Sequence, residues 1–404
     1  MSLARRIRLS ASRQTFVGDD EGELTAIATE PHLPVFRPYL GPEIRRAVEG
    51  AFDAGWISIG KLTYQFEEEL SRYLGLEAEG RHLLAMSSGT AALHSACLLS
   101  GAGPGDEIIC PSFTYVACHQ AISATGADVV FCDIDENLGI DPVSVRSLIG
   151  PRTKAIMAVH YAGIPCNIEG IRELGRDHGI RVVEDAAHAF GTRHGGKPIG
   201  ATGDLVCFSF GPVKVITALE GGALVTPNSD EVQAIRELRL LGVDTDRALR
   251  TNDRMWDYDV TRQGWRYHLG SIPSSVGLAQ LAMADTFIEN RRRYCREMTA
   301  QFAGIDGVTV PDTNFDDVAS FIYFILLADA ELRAALIEHM RLRGVATGIH
   351  FHGAHEFSYY RNARRGDLSN TESAASRQLT LPLYSHMDDG ALERVVESVT
   401  SFFG

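Results

Sequence analysis

Residues 180–227 read IRVVEDAAHAFGTRHGGKPIGATGDLVCFSFGPVKVITALEGGALVTP. Three apolar runs in it, IRVVEDAA, DLVCFSFG and GALVTP, are too short for helices and rich in β-branched residues, so each is expected to be a strand. The first run ends in Glu184 and Asp185; the second leads into a turn that sets Lys214 among apolar residues, just ahead of a Glu-Gly-Gly corner. Upstream, the runs DEIICPS, ADVVFCDID and TKAIMAVHYAG alternate with helical patterns such as GTAALHSACLLSG and IEGIRELGRDHG. Strands and helices alternating in this way predict an α/β fold with a mostly parallel sheet covered on both faces.

Past the sheet, the long helical stretch SSVGLAQLAMADTFIENRRRYCREMTAQFAG leads to GVTVP, SFIYFILLA, the helix RAALIEHMRLRG, the strand VATGIHFH and a final helix, ALERVVESVTSFFG. This second set predicts a smaller α+β domain. The expected division is an N-terminal extension (1–30), polar and without period, a large domain (31–284) and a small C-terminal domain (285–404).

Composition narrows the function. Lys and Arg total 38 against 52 Asp and Glu, and a net charge of −14 repels a nucleic-acid backbone unless the basic residues are concentrated in one patch. The nearest basic run, Arg291-Arg292-Arg293, falls inside a helical pattern and reads as a solvated face, so no nucleic-acid partner is expected. No apolar run approaches the ~20 residues of a membrane span, and MSLARRIRLSASRQTF shows no apolar segment after its arginines. A cytoplasmic protein with no membrane partner is the expectation. Seven cysteines without a C-x-x-C pair suggest neither a disulfide framework nor a zinc ribbon, and no metal site is expected. They read as small buried hydrophobes.

Open α/β sheets bind ligands beyond the carboxyl ends of their strands, and three such junctions carry candidate chemistry. At AMSSGTAALHSACL, Ser87, Ser88, Gly89 and Thr90 open a helix: either they form an anion cradle, or Ser88 or Thr90 merely caps the helix. At VVEDAAHAFG, the Asp185 carboxylate at a strand end suits a protonated heterocycle, a metal or a turn cap. In the third junction, an apolar, closed site would lower the pKa of Lys214 and free a nucleophilic amine able to form a Schiff base. Alternatively, the side chain snorkels to water.

In this order, the Ser-Gly-Thr turn, PSFTYVA, VVEDAAHAFGT and CFSFGPVK…EGGALVT resemble the fold-type I pyridoxal-phosphate-dependent enzymes, specifically the DegT/DnrJ/EryC1/StrS family of sugar aminotransferases. The resemblance runs from about Pro34 to the C-terminus and includes AGWISIGKLTYQFEEEL, HYAGIP and TGIHFHGAH. RTKAIMAVHYAGIP, EDAAHAFGT, TGIHFHGAH and SYYRN look most like the aminotransferases that make UDP-4-amino-4-deoxy-L-arabinose.

The resemblance implies pyridoxal 5'-phosphate as cofactor, L-glutamate as amino donor, a nucleotide-linked 4-ketosugar as acceptor, and a homodimer with active sites at the subunit interface. It implies catalytic roles for Lys214, as the Schiff-base lysine, and Asp185, as the partner of the ring nitrogen. Tyr115 matches the aromatic that stacks on the ring and His188 the residue beside it; Ser88, Gly89, Thr90 and Ser209 match the phosphate contacts. His350 and His352 lie where relatives contact the sugar nucleotide, and Arg37 is a further candidate anion contact. WRYHLGSIPSSVG departs from the family pattern by placing His268 where an asparagine is expected to reach the phosphate in the neighbouring subunit. Rival readings are a sugar dehydratase, which carries histidine at the lysine position, an aminotransferase of cyclitol or other secondary-metabolite ketones, and a non-enzymatic sensor with the same fold.

Overall fold

Each apolar run of the first half becomes a strand in the computed structural model, which describes residues 16–18, 24–26, 32–244 and 258–404. After a strand the sequence reading did not name, β1 (His82–Met86), these are in chain order β2 (Glu107–Pro111), β3 (Asp128–Cys132), β4 (Thr153–Val159), β5 (Arg181–Asp185), β6 (Leu205–Ser209) and β7 (Gly222–Thr226). They form one seven-stranded sheet in the order β1-β7-β6-β5-β4-β2-β3. Pairs from β6 to β3 are parallel, while β7 runs antiparallel to both β6 and β1. The sheet is therefore mostly parallel, as the alternation of elements requires.

Period-2 alternation divides each strand between two cores. Val183, Cys207 and Leu224 face the helix Gly89–Leu99, packing with its Ala92, Leu93 and Ala96. On the opposite face Val206, Phe208 and Val225 meet Phe66, Leu70 and Leu74 of the helix Lys61–Tyr73 and the turn after it. Val182 on that side joins the helix Ile168–His178 through Ile168, Ile171 and Leu174. Burial on both faces is what makes these strands read as nearly unbroken apolar runs.

The second half forms a three-stranded antiparallel sheet, β8 (Val308–Thr309), β9 (Tyr323–Leu327) and β10 (Gln378–Leu381), with β9 in the centre. Its core joins Tyr294, Met298 and Phe302 to Ile325, Leu381 and Val395. Two expectations need correction here. The long helical stretch is two helices, Ser271–Leu281 and Ala284–Phe302, because Met283 leaves helical geometry (φ −109°, ψ 3°). VATGIHFH is not a strand: it makes only isolated bridges, Val345 to Leu33 and Gly348 to Thr380, and then turns His350 and Phe351 toward the large sheet.

Of the expected N-terminal extension, an antiparallel pair, Phe16–Gly18 with Leu24–Ala26, is described; residues 1–15, 19–23 and 27–31 lie outside the described residues. Among the described residues no helix is long and apolar enough to cross a membrane.

Candidate active site

The ends of β1, β2, β4, β5 and β6 open into one cleft of about 390 Å³, walled by Phe36, Phe321, His350 and Phe351. That size falls within the ~300–1,000 Å³ typical of small-molecule sites. Ser88, Gly89, Thr90, Tyr115, Asp185, His188, Ser209, Lys214 and His350 all line it, so the structure brings together nine candidates from five separate stretches of the chain.

One corner is built from the start of the helix Gly89–Leu99. Ser88 caps it, its Oγ accepting the Ala91 amide at 3.0 Å and its carbonyl the Ala92 amide at 3.2 Å. The capping reading is thus realised, yet the Gly89 and Thr90 amides belong to the first turn and have no intrahelical acceptor. With the helix dipole they leave donors free at the positive end of the helix, beside the Ser209 hydroxyl, the arrangement an anion cradle requires. Backbone closeness fixes this corner. A Cβ on Gly89 would lie 2.8 Å from Ser209 Cβ, and one on Gly222 only 2.4 Å from the Ser88 carbonyl oxygen. Gly222 also pairs with Ser209 on one side and Met86 on the other, so a single residue registers both halves of the cradle.

Asp185 ends β5 and is buried. Its Oδ1 accepts the Ala187 amide at 2.9 Å and its Oδ2 the Cys118 thiol at 2.9 Å. Lys214 sits in the turn after β6, half-buried, its amide donating to the Gly211 carbonyl at 3.2 Å. Burial pulls its pKa down to about 8, against the attraction of Asp185. A substantial fraction of Lys214 is therefore a neutral amine near physiological pH. The snorkelling alternative fails because Nζ lies over the Phe321 ring, 4.0 Å from its centroid.

Two histidines face this amine. His188 Nδ1 accepts the Ala162 amide at 3.3 Å, which leaves the ring proton on Nε2. Burial, with Lys214 and His350 adding to it, holds the pKa of His188 well below 6.5. His350 Nδ1 pairs with Thr380 Oγ1 at 2.8 Å, and burial together with Lys214 pushes its pKa down to about 4. Both rings are neutral at physiological pH, so they meet a ligand as hydrogen-bonding groups rather than charges. The wall between them is aromatic: Phe36 stacks on Phe321 at 5.0 Å, and Phe351 lies 6.0 Å from His188 and 5.8 Å from Tyr115. Tyr115 itself is 58% exposed, its ring open at the mouth of the cleft.

Three candidates stand elsewhere. His268 bridges to Met86 and lies 3.5 Å from Ser58 Oγ, outside the cleft of its own chain. Burial and the nearby Arg266 and Arg239 lower its pKa. His352 is exposed, while its neighbour Phe351 lines the cleft. Arg37 is exposed beside Tyr384 and His386, although the preceding Phe36 lines the cleft.

Sequence reasoning missed Phe36 and Phe321, which belong to no motif, Phe351, which it passed over between His350 and His352, and Cys118, which it counted as a small hydrophobe. It also misread Arg291. That side chain is 2% exposed and donates to Ser385 Oγ at 2.8 Å and to the Ser320 and Phe321 carbonyls at 3.2 and 3.3 Å. The signal was available: Arg291 shares its helical stripe with buried Phe287, Ile288, Tyr294, Cys295 and Met298.

The sequence profile of the DegT/DnrJ/EryC1/StrS aminotransferase family matches residues 38–400. Among solved structures, the aminotransferase TlmJ from Streptoalloteichus hindustanus is 32% identical, with a TM-score of 0.83 over 91% of this chain and 97% of that one. PseC from Helicobacter pylori, an aminotransferase involved in the biosynthesis of pseudoaminic acid, is 25% identical with a TM-score of 0.85, covering 92% and 99% of the two chains. The sugar aminotransferase CalS13 from Micromonospora echinospora is 27% identical with a TM-score of 0.83, covering 91% and 99%. The chain belongs to the DegT/DnrJ/EryC1/StrS aminotransferase family and is a pyridoxal-phosphate-dependent transaminase.

Proposed function

We propose that this transaminase transfers the amino group of L-glutamate to the C4 keto group of a nucleotide-linked sugar, in the cytoplasm. The observation that carries the reading is the convergence of a Lys214 amine of lowered pKa, the Asp185 carboxylate and the Ser209 anion cradle in one cleft. This set fits pyridoxal phosphate. Gly89, Thr90 and Ser209 would hold the phosphate where an added Cβ leaves no room. Asp185 would pair with the ring nitrogen, Tyr115 and His188 would flank the ring, and Lys214 would join the aldehyde. When bound, the cofactor supplies the electron sink for the carbanion left at the donor's α-carbon.

The protein's own groups do the rest. Lys214 Nζ takes the proton from the donor's α-carbon and, in the acceptor half of the reaction, delivers one to the carbon that receives the amino group. Asp185 would hold the proton on the ring nitrogen. Phe36, Phe321 and Phe351 exclude water from Lys214. The His188 Nε2–H and the neutral His350 ring offer hydrogen bonds to sugar hydroxyls, and Arg37 and His352 lie next to cleft residues where an extended nucleotide would pass.

The working unit is a homodimer, supported by the family resemblance and by Trp56, Ile57 and Tyr64, large apolar side chains left exposed within nine residues of one another in the chain. In it, His268 would meet the phosphate bound by the partner subunit. Residues 31–284 would form the cofactor-binding domain and 285–404 the smaller one.

The test is a panel of UDP- and dTDP-4-ketosugars supplied with glutamate, followed by formation of 2-oxoglutarate. Turnover of at least one sugar nucleotide is expected. Failure of all of them, alongside turnover of a cyclitol ketone, would reverse the substrate class.

A further inference from the structure

We infer that Cys118 is a positioning residue that holds the Asp185 carboxylate oriented toward the cleft. Cys118 is fully buried in the first turn of the helix Ala117–Ser123, and its sulfur lies 2.9 Å from Asp185 Oδ2. The neighbouring Cys110 sulfur, burial and the Asp185 charge all keep the proton on Cys118. The thiol is therefore the donor and the carboxylate the acceptor. Each carboxylate oxygen has two acceptor sites, so Oδ2 keeps one for a ring nitrogen while the Ala187 amide pins Oδ1. A thiol is a weak donor: it orients Oδ2 without drawing off as much of its negative charge as a hydroxyl would.

The inference rests on the reading of Asp185 as partner of the ring nitrogen. Deleting the thiol leaves Oδ2 with one donor fewer to orient it, so the carboxylate meets a ring nitrogen less well and cofactor binding weakens.

Wild type, Cys118→Ala, Cys118→Val, Cys118→Ser and Asp185→Asn, each stripped of cofactor, are titrated with pyridoxal phosphate by visible absorbance at neutral pH. Both apolar variants are expected to bind about threefold more weakly, the size of one modest hydrogen bond. Cys118→Ser, which keeps a donor, restores affinity to within about twofold of wild type. Apolar variants that match wild type, or a serine variant as impaired as alanine, overturn the inference. Asp185→Asn separates the two ideas. If it binds as wild type does, the reading of Asp185 falls; if it loses binding while the Cys118 variants do not, only the role of Cys118 falls.

Discussion

The Lys214 amine lies 4.0 Å from the centroid of the Phe321 ring, so a residue just ahead of the central strand of the small sheet covers an amine carried by the large one. The ring face favours the charged amine, whereas burial favours the neutral one, and burial prevails because the pKa falls to about 8. Capture of pyridoxal phosphate by the cofactor-free protein needs the neutral form. Its rate should therefore rise with pH up to about 8 and level off above. Phe321→Leu removes a cation–π contact of about 0.5–1 kcal/mol and should move that midpoint down by about half a unit. Stopped-flow absorbance across pH reads both, and an unmoved midpoint would show that the ring contributes nothing to the charge state.

Lys214→Ala should abolish the visible band of the bound cofactor and lower turnover by at least about a hundredfold. Because Asp185 and the Ser209 corner remain, the variant should still bind pyridoxal phosphate reversibly. Dialysis separates the two states: wild type keeps its cofactor and the variant loses it.

Gly222→Ala presses a methyl group against backbone that cannot rotate away, 2.4 Å from the Ser88 carbonyl oxygen. The expected cost is about 1–3 kcal/mol of stability. Affinity for pyridoxal phosphate should fall more than affinity for amino donor in the loaded enzyme, since the displaced turn is the proposed phosphate seat. Thermal unfolding and separate titrations of cofactor and donor check this.

Arg291→Met should destabilise the protein by about 2–3 kcal/mol, leaving the Ser320 and Phe321 carbonyls buried without donors. The same substitution at Arg293, which is exposed in its ion pair with Asp389, should cost less than about 1 kcal/mol. Paired denaturant melts test the contrast, and equal losses would overturn it.

The large sheet and most of the cleft were legible because both obey rules written along the chain. Strands covered on both faces appear as apolar runs, and ligand groups gather where those runs end, as at Asp185 and Ser209. The aromatic wall was not legible. Phe36, Phe321 and Phe351 come from three distant segments, and only tertiary packing turns them toward Lys214. VATGIHFH carries β-prone residues, yet its second half lies against the cleft without a strand partner, and burial of His350 and Phe351 overrides propensity. The arginine run misled because charge was weighed before helical period.

The placement of Gly222 between Ser209 and Met86 divides the cleft into two parts with different freedom to change. At Gly89 and Gly222 the floor of this corner is packed so closely that an added Cβ collides. The opposite wall is made of side chains alone, contributed by segments outside the large sheet. An engineer seeking a new acceptor can therefore exchange Phe36, Phe351 or His350 as interchangeable fittings, while the cofactor seat stays as cast.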